Sequence, residues 1–194
     1  MGNQNANSVA EFISTLEHDL RVLDMTRSDF LKKLSRLDSE TVIGSIHEAG
    51  HCVAAWAFGF PILEMSIDEY RRDRDGLRNM SAAFEVSAEL LNEHLAPTKF
   101  QMAVIAMAGI MAERRQSGVI DDAAFEGDCE KALNHLRQFF TEENDLESYL
   151  TEVLDDVDEI LDDHWEKIEM LAIAAYKLGP VLDGHTVKEI IERA

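Results

Sequence analysis

The stretch His47-Glu48-Ala49-Gly50-His51 constrains this chain more than any other. Two imidazoles four residues apart meet only on an α-helix, where side chains at i and i+4 stand on one face. Aimed at a common point, they read as two ligands of one metal ion. The flanks agree with a helix: Val42, Ile43, Ile46, Val53, Ala54 and Ala57 recur at helical spacing. Asp38 or Ser39 followed by Glu40 offers its start, and Gly59 with Pro61 its end. Gly50 in the middle costs about 0.8 to 1.0 kcal/mol relative to alanine, so a neighbour is expected to pack closely against it.

The motif carries chemistry as well as shape. Zinc held by imidazole nitrogens at about 2.0 to 2.1 Å needs a third protein ligand, and catalysis needs a fourth position left open. Glu48 stands about 60° around the helix from His51, where its carboxylate can flank a water and take its proton. A metal lowers the pKa of the water it binds to about 7, which puts the reaction within reach of a carboxylate base. His47 and His51 are therefore the expected ligands and Glu48 the expected base. Spacing does not choose the third ligand. Asp121, Asp122, Glu126, Asp128 and Glu130 crowd one neighbourhood. Glu113 is a further candidate, either as ligand or as the group that orients a ligating histidine, against a default of a solvent-facing helix residue. His18, His94, His135, His164 and His185 lack a partner at ligand spacing.

Ile46-His47-Glu48-Ala49-Gly50-His51, followed by small and apolar residues, resembles the peptidase portion of the FtsH-type, ATP-dependent zinc metalloproteases. Ala106-Met107-Ala108-Gly109-Ile110-Met111-Ala112-Glu113 resembles that family's helix with a glycine and an Ala-Glu pair. Gly127-Asp128-Cys129-Glu130-Lys131-Ala132 resembles the segment whose aspartate completes the metal site. The resemblance runs from about Ser39 to the C-terminus. It implies a zincin-like, mainly α (α+β) fold with a small β-sheet or hairpin beside the motif helix, and Zn2+ held by His47, His51 and Asp128. The AAA+ ATPase and membrane-spanning segments that precede the peptidase in that family are not expected here, since the residues before Ser39 leave no room for them and no G-x-x-x-x-G-K-[ST] phosphate loop occurs in the sequence.

A length of 194 residues with 46% hydrophobic content suits one globular domain, placed at 39–194, with a helical extension at 1–38. In the extension, Phe12, Ile13, Leu16, Leu20, Val22 and Leu23 form one apolar stripe. Ser28 is the expected cap of a second stripe, Phe30, Leu31, Leu34 and Leu37. After Pro61, residues Ile62, Leu63, Met65 and Ile67 suggest a strand, Tyr70 to Arg78 a charged connector and Met80 to Val86 a second strand. Either an extended substrate lies along this hairpin or the hairpin merely covers the core. Pro97 opens a helix through Ala112, and Asp121-Asp122 opens a loop leading to Asp128. Helical spacing resumes at Leu133, Leu136, Phe139 and Phe140, and continues through a long acidic helix and an apolar segment, Ile168 to Leu178. A last helix is expected from Thr186, with Glu189 at capping-box spacing.

The net charge of -20 argues against nucleic acid, whose binding depends on Lys and Arg releasing counterions from phosphates. No Lys or Arg lies between Thr141 and His164, yet Leu146, Tyr149, Leu150, Val153, Leu154, Val157, Ile160 and Leu161 interleave with the acids there. A solvated helix face is the expected reading. The polar start lacks the features of a signal peptide, and the longest apolar run, Met102 to Ala112, is short of the roughly 20 residues a membrane helix needs. A cytoplasmic protein, not membrane-embedded, is therefore expected. Cys52 and Cys129 read as buried small hydrophobes rather than a disulfide.

Two functions follow. The first is a zinc-dependent endopeptidase acting on unfolded or flexible polypeptides, without using ATP itself. The second is a non-catalytic interaction or regulatory protein that keeps the fold and a structural or vestigial zinc. Glu48 favours the first, because a structural zinc needs no base beside it. Homo-oligomerisation and a separate partner protein both stay open.

Overall fold

A computed structural model describes residues 3–67, 81–84, 96–119, 122–138 and 143–194. The architecture is mainly helical with one small antiparallel sheet, as the sequence leads one to expect. At its centre runs α3 (Ser39–Ala57). Its start is fixed by Asp38, whose side chain accepts from the Thr41 amide at 3.2 Å. Around most of its circumference the helix is small or apolar: Val42, Ile46, Ala49, Cys52, Val53, Ala54 and Ala55 are all buried. A helix of that kind must be surrounded.

Packed against α3 are α4 (Ala96–Ser117), α6 (Glu143–Leu178), α2 (Arg27–Ser35) and the strands β1 (Ile62–Ser66) and β2 (Ser81–Phe84). α5 (Asp122–Leu136) lies on α4. The chain closes with β3 (Val181–Asp183) and α7 (Gly184–Arg193). Strand order is β2-β1-β3, with β1 antiparallel to both neighbours, Met65 opposite Ala82 on one side and Leu182 on the other. The sheet thus sits beside the motif helix. β3 has no counterpart in the sequence reading: three residues with exposed Val181 and Asp183 around buried Leu182 are too short to show an alternation.

Helix α1 (Asn3–Val22) packs against α7, and α2 against α3 and α6. Val9, Leu16, Leu20, Leu31 and Leu34 of the extension belong to the same core as α3 and α4. Val22, Leu23 and Leu37, expected in the apolar stripes, are exposed instead: Val22 is the last residue of α1, and Leu23 and Leu37 lie beyond the ends of α1 and α2. Thr26, not Ser28, caps α2: its hydroxyl accepts from the Asp29 amide at 3.1 Å, and Asp29 reaches back to the Thr26 amide. Ser28 donates instead to Glu169 of α6, which also accepts from Trp165 Nε1 at 2.9 Å.

Two further expectations are corrected. The segment before Asp128 is helix, not loop, because Gly127 alone costs too little to break a turn flanked by helix formers. α7 begins two residues before Thr186, capped by Asp183, whose Oδ1 accepts from the Thr186 amide at 2.8 Å. The acidic run forms the outer face of α6, with Val153, Val157 and Leu161 buried beneath it. That helix continues through the apolar segment with one interruption, at His164, and ends before Gly179-Pro180. The connector 70–78, His94, Asp121, Phe139 and Phe140 lie outside the described residues. Among the described residues, no helix is long and apolar enough to cross a membrane.

Candidate metal centre

Three helices build the site. On α3, His47 and His51 present their Nε2 atoms 3.1 Å apart. On α4, Ile105, Gly109 and Glu113 follow at intervals of four and form the stripe facing those rings. The Ile105 carbonyl accepts from His51 Nδ1 at 2.7 Å, and Glu113 Oε2 lies 3.2 Å from His47 Nδ1. With its Nδ1 proton committed to a carbonyl, His51 keeps the Nε2 lone pair free to ligate. Between these contacts sits Gly109, where an added Cβ would overlap the His51 ring and stand 2.9 Å from His47 Cδ2. The expected close neighbour of Gly50 is the same helix: a Cβ there would lie 2.6 Å from the Ala108 carbonyl oxygen.

From α5 comes Asp128. It shares a stripe with Ala132 and Leu136, all buried against α4, so it takes a place on the helix where a core residue would otherwise stand. Its Oδ2 lies 3.1 Å from His47 Nε2 and 3.4 Å from His51 Nε2. Of the other carboxylates in that stretch, Asp122, Glu126 and Glu130 are exposed, and Asp121 lies outside the described residues. The structure therefore groups His47, His51 and Asp128 as a set that could hold a metal ion.

The geometry fits such an ion. Nε2 of His47, Nε2 of His51 and Oδ2 of Asp128 form a triangle with sides of 3.1, 3.1 and 3.4 Å. Tetrahedral ligand atoms at about 2.0 to 2.1 Å from a common centre stand about 3.3 Å apart. Asp128 Oδ2 is buried, and when both imidazoles are neutral with their Nε2 lone pairs turned toward it, it receives no hydrogen bond. A buried carboxylate oxygen left so is costly unless a cation satisfies it.

Glu48 is 4% exposed, and its Oε2 is buried without a partner. Burial raises its pKa, opposed by the His51 and His47 charges and reinforced by that of Asp128. Burial works against charge on His47, but Asp128 and then Glu113 overcome it, raising its pKa to about 10. Asp128 is held well below the usual carboxylate range; burial opposes this, and His47 and His51 outweigh it. Without an ion, the centre thus retains a proton on His47.

Glu113 is 7% exposed, which replaces the expected solvent-facing residue with a partner of His47. The signal for it was its phase: on α4 it falls in line with Gly109, the one glycine of that helix. The remaining histidines stay apart from the centre. His18 and His185 are exposed, and the half-buried His164 ring stands edge-on to Trp56 at 5.4 Å. His135 is half-buried, its pKa lowered by burial and by the Lys99 charge. Cys52 is buried and its thiol pKa raised accordingly, while Cys129 is only partly covered. Neither family models nor curated proteins give a match to this chain.

Proposed function

We propose that the chain is a zinc-dependent endopeptidase of FtsH type, which hydrolyses unfolded or flexible polypeptides and does not itself use ATP. The observation that carries this reading is Glu48, a carboxylate with an unpartnered buried oxygen next to His47, His51 and Asp128. A structural zinc fills its four positions with protein, whereas the described residues here offer three ligands and a base. The family assignment draws support from where its motifs lie. Three stretches far apart in sequence, carrying His47 to His51, Gly109 to Glu113 and Asp128, converge on one centre.

Two imidazoles and one carboxylate form a donor set of the catalytic-zinc kind. His47, His51 and Asp128 would hold the ion, which would supply a Lewis acid that polarises the scissile carbonyl and acidifies water. Glu48 takes a proton from the attacking water as the C–O bond forms, then delivers it to the amide nitrogen as the C–N bond breaks. Its raised pKa suits both halves of that task, since a carboxylate of higher proton affinity is the better base. The Ile105 carbonyl and Glu113 hold the two rings in register meanwhile. Among the described residues, β2 pairs only with β1, and α3 packs against it. Its other edge suits an extended peptide held by main-chain hydrogen bonds.

The test uses purified protein loaded with zinc and an unfolded polypeptide substrate. Glu48→Gln is expected to keep the metal and to lose hydrolysis by a factor on the order of 100 or more. His47→Ala and His51→Ala are expected to lose both. Full activity in Glu48→Gln would remove Glu48 from the mechanism.

A further inference from the structure

Asp128 divides its two oxygens between different partners. Oδ2 faces the ring nitrogens of His47 and His51 at 3.1 and 3.4 Å, and Oδ1 accepts from Lys131 Nζ at 2.8 Å. Lys131 stands three residues further along α5, with its side chain 64% exposed against 3% for that of Asp128. The pair therefore spans the boundary between the centre and solvent. An ion pair between exposed groups contributes about 0 to 1 kcal/mol, but here one partner is buried, and its outer oxygen has been given a fixed donor.

That choice of oxygen matters because a carboxylate can bind a cation through one oxygen or through both. A second metal–oxygen bond would use coordination space that a catalytic centre needs open for water or substrate. We propose that Lys131 is a positioning residue that keeps Asp128 a one-oxygen ligand through Oδ2 and so preserves the open coordination position. The proposal rests on the metal-centre reading above. It concerns an exposed side chain, so removing the ammonium leaves the core of α5 untouched.

The probe is Co2+ in place of zinc, because its visible d–d absorption is strong in four-coordinate sites and weakens as coordination number rises. The unchanged protein and Lys131→Arg are expected to give the same intense spectrum. Lys131→Met is expected to bind Co2+ with a weaker spectrum of higher coordination number, and to lose peptide hydrolysis by about tenfold or more, with Lys131→Arg restoring most of it. If Lys131→Met gives the spectrum of the unchanged protein, the positioning role is wrong and the metal-centre reading stands. If the unchanged protein does not bind Co2+ or zinc at all, the metal-centre reading falls and takes this proposal with it.

Discussion

A methyl group added at Gly109 would fall on the His51 imidazole and against His47, so the two rings owe their position to a residue without a side chain. On an isolated helix Gly→Ala is favourable by about 0.8 to 1.0 kcal/mol. Here Gly109→Ala is expected to weaken metal binding by about tenfold or more while leaving thermal stability of the metal-free protein little changed. Titration calorimetry with zinc, beside a melting curve, measures both. Glu113→Gln keeps a hydrogen-bonding group beside His47 Nδ1 but removes the charge, and is expected to cost about 10- to 100-fold in affinity, read by competition with a chelator. The metal-free state adds a pH signature. His47 is raised from 6.5 to about 10, so its contribution to stability is complete below about pH 6.5 and is lost as pH rises through about 10. Metal binding near pH 7 must then expel that proton. Calorimetry in buffers of different ionisation enthalpy is expected to show release of one proton as the ion binds.

At the scale of elements, the sequence was legible where periodicity was long and obscure where one short-range signal had to choose between neighbours. The motif helix, with its start at Asp38 or Ser39, and the helix around Pro97 follow from extended patterns, and the structure chooses Asp38 as the cap. Thr26 and Ser28 are both acceptable caps by composition, and what separates them is the reciprocal bonding of Thr26 with Asp29 and the bond of Ser28 to Glu169. Asp183 and Thr186 pose the same ambiguity. Because Asp183 is the cap, Asp183→Ala is expected to destabilise the protein by about 1 kcal/mol, and Thr186→Ala by less, in denaturant unfolding. The third member of the candidate metal set was obscure for another reason. Five carboxylates in one stretch look alike until a single helix is seen to run through Asp122, Glu126, Asp128 and Glu130. Then Asp128 falls in phase with Ala132 and Leu136, while Asp122, Glu126 and Glu130 point outward.

For the whole molecule, the described residues surround α3 on its apolar sides, and in the function proposed above the substrate is an extended segment laid across the centre. A folded substrate would first have to open, at about 5 to 15 kcal/mol for global unfolding. The protein alone is therefore expected to release fragments from a permanently unfolded polypeptide and not from the same polypeptide tightly folded, with ATP making no difference. Comparable cleavage of the folded form would exclude this mode of action. The origin of the candidate ligands on two separate helices has one more consequence. His47 and His51 lie on α3 and Asp128 on α5, which itself rests on α4, so an ion bound there would tie α5 directly to α3. Occupancy at 100 times the dissociation constant would add about 2.7 kcal/mol to the folded state. Chelation would then loosen α5 first, and a protein with the activity proposed above, stripped of its ion, would begin to offer the kind of flexible segment it would cleave.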